Sequence, residues 1–407
     1  MKKKTLIQKL KNMGPAAIIA SAFIGPGTIT TSTVSGTNYQ YALLWTVVFS
    51  GIASIILMDI SSRIAAYGGH SIIETTLGMS DSKAWKNFVK WFMGLAIIFT
   101  GLGFMAGNEI GAANGLADLT TLPVSVTGLI VGIIAIATIW VGTPKLLEVI
   151  CQFFLVAMGF LFVITMFLSK PDWGKVASGI VPTLPQGSLI NAMGLIGTTI
   201  IAINLVYHSM GCQEKYKGIE GYDDSKFDTR FNVIFGVLMA LAIIITSGTV
   251  LFGTGIEITN PVVFSQSLEP VLGSSARIIG DIGLFLAGLS SSIATPYMCG
   301  MIIARLLHWE NKDLYRKLLT CFLIVFGTIL AMMGKTPTQI ILVTQALSGF
   351  FLPFIAIFFV ISGNNKKMLG EHTNSTLQNL LGGIACIVTL AMRINMLINN
   401  VIMKIFA

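Results

Sequence analysis

Charged residues are scarce in this chain. Asp, Glu, Lys and Arg make up 11% of the 407 residues, whereas hydrophobic residues make up 54%. Such a composition cannot cover a water-exposed surface, and apolar runs long enough to cross a hydrocarbon core of about 30 Å recur along the whole sequence. The sequence therefore predicts an all-α polytopic membrane protein, and we expect it to be no enzyme and to have no catalytic residues.

Several motifs are also missing. The five cysteines are scattered without metal-ligand spacing, which argues against a disulfide framework or a zinc site. No loop contains a nucleotide-binding motif, so we expect no ATP-driven pumping and no cofactor. The basic residues 1–13 lack a small-residue cleavage site and are interpreted as a cytoplasmic tail rather than a signal peptide.

Apolar segments indicate about eleven transmembrane helices. The predicted spans are 14–36 (interrupted), 41–60, 91–115, 124–142, 147–168, 190–211, 231–254, 277–304, 318–333, 338–362 and 378–398. With a cytoplasmic N-terminus, most of the 26 Lys and Arg residues fall in cytoplasmic segments, as the positive-inside rule requires. We therefore predict a protein of the bacterial plasma membrane with its C-terminus outside. The net charge of +8 reflects this topology, so no nucleic-acid partner is expected.

The first span is interrupted by Gly25-Pro26-Gly27. Proline removes a backbone donor and clashes with the preceding turn, and glycine frees the backbone, so we expect the helix to unwind here. Bare backbone groups inside a bilayer are tolerated where protein or a water-filled cavity satisfies them, and broken helices often form transport sites. The alternative is a proline kink that only shapes helix packing.

Eleven helices allow two five-helix halves of opposite orientation. We predict a first inverted repeat over 14–168, an outer loop over 169–189, a second repeat over 190–362, and a final loop and helix over 363–407. This arrangement places the first and sixth helices side by side at the transport site. The sixth span contains Gly194 and Gly197 but no proline, so its break is less well determined than that of the first.

Motifs spread over nearly the whole chain resemble the Nramp metal transporters. They are Met13-Gly-Pro-Ala-Ala-Ile-Ile-Ala-Ser-Ala-Phe-Ile-Gly-Pro-Gly-Thr with Tyr41-Ala-Leu-Leu-Trp and Arg63, Lys170-Pro-Asp-Trp-Gly-Lys-Val through Asn204-Leu-Val-Tyr-His-Ser, Gly288-Leu-Ser-Ser-Ser, and Gln345 with Leu352-Pro-Phe. The resemblance implies a leucine-transporter-type fold, a 5+5 inverted repeat with helices one and six broken around a central site, and alternating access by rocking.

The sequence departs from the motifs that the resemblance leads one to expect. The family's Asp-Pro-Gly-Asn, whose Asp and Asn bind metal, is matched by Gly25 to Thr28, and its Met-Pro-His by Ile201 to Ile203. An acidic pair on the family's third helix is matched by Gly101 and Phe104. A dehydrated divalent ion needs anionic or several oxygen ligands, and transition metals favour nitrogen or sulfur. Standard manganese or iron uptake is therefore disfavoured.

The remaining polar and backbone groups supply the candidate site. We predict substrate contacts from Gly25, Gly27, Thr28, Thr198, Ile201, Ala202, Asn204 and Gln345. Glu109 and His208 are candidates for a proton or ion pathway, and Thr28 and Glu109 for metal contacts; each could equally be a structural, hydrogen-bonded group. Four-residue spacing predicts the ion pairs Asp59–Arg63 and Arg277–Asp281.

Two transport functions fit these residues. The first is secondary-active or facilitative transport of a divalent cation, in which a partly hydrated ion such as magnesium suits the site better than a bare transition metal. The second is transport of a small organic solute, such as an amino acid or carboxylate, held by backbone amides at the first break. A non-transporting sensor or scaffold ranks last because the break persists. The expected partners are the transported species and the lipid bilayer.

Overall fold

A computed structural model describes residues 19, 25–141, 153, 159–334 and 337–397. Within these ranges the protein is helical and contains no strand. The tail 1–13, residues 14–24 except Ile19, half of the fifth predicted span (147–152 and 154–158) and the last residue of the eleventh (398) lie outside the described residues. Ile19, which precedes the first break, is helical and buried.

Thirteen of the described helices are numbered below. They are α1 (Pro26–Tyr39), α2 (Leu44–Gly68), α3 (Lys83–Thr120), α4 (Val124–Val141), α5 (Gly159–Leu168), α6 (Leu189–Thr199), α7 (Ala202–Lys215), α8 (Gly218–Val250), α9 (Ala276–Leu306), α10 (Asp313–Met333), α11 (Pro337–Ser348), α12 (Leu352–Gly363) and α13 (Thr376–Leu397). The connections contain short helices at Ile72–Leu77, Trp173–Ser178, Glu269–Leu272 and Lys366–Leu369, and 3-10 turns at Pro261–Leu268, Gly273–Ser275, Gly349–Phe351 and Gly370–His372.

The helices match the predicted spans in number and order. Among the described residues, seven helices are long and apolar enough to cross a membrane, with α6 and α7 taken together as Leu189–Lys215. The other predicted spans correspond to α1, α5, the α11–α12 pair and α13, which are shorter or partly outside the described residues. The chain is therefore an integral membrane protein of about eleven spans.

Two predicted connections are largely helical. The predicted spans leave residues 212–230 as a connection, but α7 runs to Lys215 and α8 starts at Gly218. Residues 61–90, which the spans also leave as a connection, contain the end of α2, the helix Ile72–Leu77 and the start of α3. Hydropathy marks the part of a helix that lies in the membrane and misses polar turns beyond it, which explains both errors. The end of the bundle where α2 finishes and α3 begins is called the α2–α3 end.

A row of glycines on α3 brings four helices together. A Cβ on Gly107 would lie 2.9 Å from Gln345 of α11, one on Gly111 would clash with Pro26 of α1, and one on Gly115 would lie 2.8 Å from the Asp281 carbonyl oxygen of α9. Gly103 likewise approaches the Thr344 carbonyl at 3.0 Å. Small residues allow such close approach of membrane helices. The first helix break is therefore held between α3, α9 and α11.

Large apolar side chains remain exposed on the outer helices. Examples are Phe99 on α3, Ile133 on α4 and Ile329 on α10, each more than half exposed. In a soluble protein such faces would mark interaction sites, whereas in a bilayer they contact acyl chains. The polar residues Thr30, Ser61, Asn108 and Gln345 are instead fully or almost fully buried inside the bundle.

Candidate functional site

The break in the first span lies immediately before α1. Gly25 has an extended backbone (φ −90°, ψ 175°), and Pro26 is the first helical residue. Proline suits this position because the first helical N–H has no intrahelical partner. No side chain caps the start of α1. The predicted break at Gly25-Pro26-Gly27 is therefore confirmed on its C-terminal side, where α1 begins with the positive end of its helix dipole and without a side-chain cap.

The sixth span is also broken. Helix α6 ends at Thr199, Ile200 (φ −98°, ψ 93°) and Ile201 (φ −102°, ψ 123°) are extended, and α7 begins at Ala202 without a side-chain cap. Neither proline nor glycine causes this break. The hydroxyls of Thr198 and Thr199 donate to the Leu195 carbonyl oxygen at 3.0 and 2.9 Å, and the two isoleucines that follow favour extended backbone.

Gln345 reaches the first break from α11. Its side chain is 0% exposed, and neither amide atom has a hydrogen-bond partner in the described part of the chain. A Cβ on Gly27 would lie 2.7 Å from Gln345 Cδ, so the amide fills the space that a side chain at position 27 would occupy. The structure thus brings Gly27 and Gln345, both predicted substrate contacts, into direct contact.

Asn204 lies on the first turn of α7, just after the second break. It is 1% exposed, and both of its amide atoms lack a partner among the described residues. Ile201 and Ala202 are buried beside it in the chain. Because an unpaired buried amide costs about 1–3 kcal/mol, two such groups near helix breaks indicate a place that a ligand or water completes.

The hydroxyl row of α1 extends this polar lining. Thr28 lies on the first turn and is 4% exposed. Further along, five buried hydroxyls have no hydrogen-bond partner in the described ranges: Thr30, Thr31, Ser32, Ser35 and Thr37. Most membrane-helix hydroxyls here, such as that of Thr33, instead donate to the preceding turn. Helix α1 is thus unusually rich in groups that still need hydrogen bonds.

Residues that the sequence did not single out complete the surroundings of Gly25. A Cβ on Gly25 would lie 2.8 Å from Asn108 Oδ1 of α3 and 2.9 Å from Ser291 Oγ of α9. The Asn108 amide donates to Thr295 Oγ1 at 3.4 Å. Asn108 directly precedes Glu109 and lies between Gly107 and Gly111. The spacing of glycines on α3 is therefore the sequence feature that could have pointed to Asn108.

Glu109 points in a different direction from Asn108. A Cβ on Gly327 of α10 would lie 2.8 Å from Glu109 Cγ, and the Ser292 hydroxyl of α9 lies beside the carboxyl. Neither carboxyl oxygen makes a hydrogen bond of good geometry with Ser292 or with any other residue in the described part of the chain. Glu109 is 0% exposed. The structure therefore places this ionisable group at the α3–α9–α10 junction, while Gln345 contacts the first break.

Both ring nitrogens of His208 have hydrogen-bond partners. Its Nδ1 lies 2.6 Å from Ser61 Oγ, and its Nε2 lies 2.9 Å from Thr229 Oγ1. Because the Ser61 hydroxyl donates to the Met58 carbonyl oxygen, Nδ1 carries a proton and donates to Ser61, and in the neutral tautomer Thr229 donates to Nε2. This network holds the imidazole between α2 and α8.

Charged and polar groups are joined by hydrogen bonds and an ion pair at the α2–α3 end. Glu74 accepts from Arg305 at 2.9 Å and from Gln213 Nε2 at 2.6 Å, and Arg305 also donates to Gln213 Oε1 at 2.8 Å. Tyr216 donates to Asp228 at 3.0 Å. Burial, followed by the neighbouring Asp228, raises the pKa of Tyr216 well above its usual value, so the phenol remains a donor.

Of the two predicted ion pairs, one forms. Arg63 Nε lies 3.2 Å from Asp59 Oδ2. Arg277 instead donates to Asp118 of α3, at 2.5 and 2.8 Å, and the carboxyl oxygens of Asp281 have no partner among the described residues. The Arg277–Asp281 prediction was wrong because a carboxylate on the neighbouring helix offers both oxygens to the guanidinium.

Metal-ligating side chains do not cluster. The described residues contain no group of three or more His, Cys, Asp or Glu that could hold a metal ion. The described residues that contact the breaks supply neutral groups: amides, hydroxyls and backbone atoms. Such oxygens suit hard cations or their bound waters better than they suit transition metals.

Comparison with known proteins identifies the family. The sequence profile described as "Natural resistance-associated macrophage protein-like" (Nramp) matches residues 16–399. The chain belongs to the Nramp family. One relative is the "Divalent metal cation transporter MntH" of Caldanaerobacter subterraneus subsp. tengcongensis, 25% identical over 92% of this chain and 89% of that protein. Another, the "Natural resistance-associated macrophage protein 2 homolog" of Dictyostelium discoideum, is 29% identical over 92% of this chain and 61% of that protein.

Solved structures agree on the fold. The Eremococcus coleocola manganese transporter, in complex with an aromatic bis-isothiourea substituted compound, has a TM-score of 0.80 at 18% identity, covering 97% of this Nramp chain and 88% of that one. MhsT in complex with L-phenylalanine has a TM-score of 0.62 at 14% identity, covering 93% and 98%. The predicted leucine-transporter-type fold is confirmed. The site residues predicted here for this Nramp protein remain predictions.

Proposed function

We propose that this Nramp protein is a membrane transporter that carries a divalent cation in partly hydrated form, with magnesium as the best-fitting ion. The observation that carries the proposal is the neutral character of the helix breaks, where the amides of Gln345 and Asn204 are buried without partners. Membership of the family and the names of its relatives favour a divalent cation. The neutral lining favours an ion that keeps its water shell, because coordinated waters can donate to amide and hydroxyl oxygens.

The α2–α3 end bears on the side from which the ion would leave. We infer that the α2–α3 end is cytoplasmic, because the positive-inside rule assigns its basic loops to that side. The Glu74–Arg305–Gln213 contacts join the α2–α3 connection, α9 and α7, so their rupture would let the ion leave toward the cytoplasm. Alternating access would then consist of opening this end while the other closes over the breaks.

An organic solute is the second candidate. Two helices, α1 and α7, start at the breaks without side-chain caps, so the positive ends of two helix dipoles would favour a carboxylate there. Buried Ile201 and Ile203 would then offer an apolar contact. This reading requires an anionic cargo group, whereas the first requires a cation.

Uptake into liposomes by the purified protein separates the candidates. We expect magnesium uptake that Gln345→Leu and Asn204→Leu reduce at least about tenfold, since each removes an oxygen from the site. Asn311→Ala, at an exposed turn, serves as the matched amide control and should not change uptake. Thermal stabilisation by an amino or carboxylic acid, with no magnesium or manganese flux, would replace the cation proposal with the organic-solute one.

A further inference from the structure

We infer that Asn108 determines which cargo the first helix break accepts, because its amide occupies the space of a side chain at position 25. This inference rests on the proposed function for the identity of the cargo. The spatial relation between Asn108 and Gly25 is independent of it.

The geometry places the amide directly at the break. A Cβ on Gly25 would lie 2.8 Å from Asn108 Oδ1, closer than real Cβ contacts allow. Gly25 is also the extended residue that precedes α1. Any side chain at position 25 would therefore displace the Asn108 amide and also contact Ser291 of α9, whose Oγ would lie 2.9 Å from the same Cβ, whereas glycine leaves the amide in contact with the unwound backbone.

The amide of Asn108 also contacts α9. Asn108 Nδ2 donates to Thr295 Oγ1 at 3.4 Å, and Oδ1 is the amide atom that faces Gly25. The Ser291 hydroxyl of α9 approaches the same position, since a Cβ on Gly25 would lie 2.9 Å from its Oγ. Helices α3 and α9 thus direct neutral oxygens toward this region.

A second, independent observation indicates that a ligand completes the site. Gln345 fills the space beside Gly27 in the same way, is 0% exposed, and has no partner for either amide atom among the described residues. The two glycines that flank Pro26 are therefore each covered by an amide from another helix. Each amide can occupy its position only because the residue it covers, Gly25 or Gly27, has no side chain.

The chemistry of this arrangement defines the cargo class. An amide oxygen is a neutral, hard acceptor that binds a hard cation or one of its coordinated waters. It offers little to a bare transition metal, which prefers nitrogen, sulfur or a charged oxygen. Asn108 at Gly25 thus selects a hydrated, hard divalent cation, and an acidic residue at position 25 would reverse that preference once Asn108 makes room.

The test combines substitutions at both positions. Gly25→Asp alone should lower the melting temperature of the metal-free protein and leave manganese affinity unchanged, because the new side chain overlaps the amide. Gly25→Asp with Asn108→Ala should recover part of the lost melting temperature, since Ser291 still lies close to position 25. The same double variant should raise manganese affinity, measured calorimetrically, by on the order of tenfold or more, since a carboxylate attracts the ion more strongly than an amide does. Gly25→Asp with Asn114→Ala is the control and should not recover, because Asn114 bonds to Asn260 at 3.0 Å instead.

The outcomes separate this inference from the proposed function. Additive effects of the two substitutions on melting temperature would overturn the role of Asn108, whatever the cargo is. Full manganese binding by Gly25→Asp alone would also overturn it. Coupling in melting temperature without manganese binding in the double variant would support the spatial relation and overturn the cargo assignment, and an absence of magnesium flux in the unaltered protein would count against the proposed function alone.

Discussion

At the helix breaks the amide of Gln345 has no partner in the described part of the chain, whereas at the α2–α3 end the amide of Gln213 has three. Both side chains belong to the same bundle and carry the same chemical group. The difference shows which polar groups are hydrogen-bonded within the protein and which need a ligand or water as a partner. A network in which every polar atom is hydrogen-bonded stabilises helix packing, whereas an unpaired buried polar atom lowers the free energy of unfolding until a ligand or water pairs with it.

The largest effect should come from Arg63, which anchors the connection before α13 to α2. It is 5% exposed and donates to Asp59 at 3.2 Å, to the His372 carbonyl oxygen at 2.9 Å and to Asn374 at 2.7 Å. We expect Arg63→Met to lower the free energy of unfolding in detergent by about 3–5 kcal/mol, because it leaves a part-buried carboxylate without its cation. Arg277→Met, at an exposed pair, is the control and should change the free energy of unfolding little. Equal losses of stability in the two variants would contradict the expected difference between the buried and the exposed arginine.

Glu109 should behave in the opposite way. Replacing this buried, unpartnered carboxyl by Met should raise the free energy of unfolding by about 1–3 kcal/mol, because an unsatisfied polar group is removed. If Glu109 carries protons, the same variant should lose uptake driven by a pH gradient. Glu310→Met, at an exposed turn, should affect neither measurement. A less stable Glu109→Met would show that the carboxyl has a partner and belongs with the saturated groups.

A smaller effect is expected at His208. Thr229→Val removes the donor to Nε2, 2.9 Å away, and should lower the free energy of unfolding by about 0.5–1.5 kcal/mol. Thr138→Val, where the exposed hydroxyl bonds only back to Ile134 in its own helix, is the matched control and should be near neutral. An unchanged Thr229→Val protein, measured by chemical denaturation, would mean that the His208 network is not saturated as described.

Much of the architecture could be predicted from the sequence. Hydropathy located the spans, and Gly25-Pro26-Gly27 located the first break because proline and glycine act locally on the backbone. The second break was harder, since neither proline nor glycine marks it. The Thr198 and Thr199 hydroxyls donate to the Leu195 carbonyl oxygen, as hydroxyls in continuous helices also do, and two extended isoleucines follow. No single residue there forbids a helix.

The role of Asn108 could not be predicted in the same way. Its neighbour Glu109 attracts attention as an ionisable residue, yet a turn of about 100° per residue directs the two side chains to different helices. Which of them faces Gly25 depends on how α3, α9 and α11 pack around the glycine row. The Arg277–Asp118 pair was missed for the same reason, because the partner lies far away in sequence.

The most direct test of the contrast compares two identical substitutions, Gln345→Leu and Gln213→Leu, in the free energy of unfolding without added ligand. Gln345→Leu should stabilise the protein by about 1–3 kcal/mol, since it removes an unpaired buried amide, and should abolish the stabilisation that magnesium confers. Gln213→Leu should destabilise it by a similar amount, since it leaves Arg305 and Glu74 short of partners. Destabilisation by both substitutions, with the magnesium response intact in Gln345→Leu, would contradict a ligand site at the helix breaks.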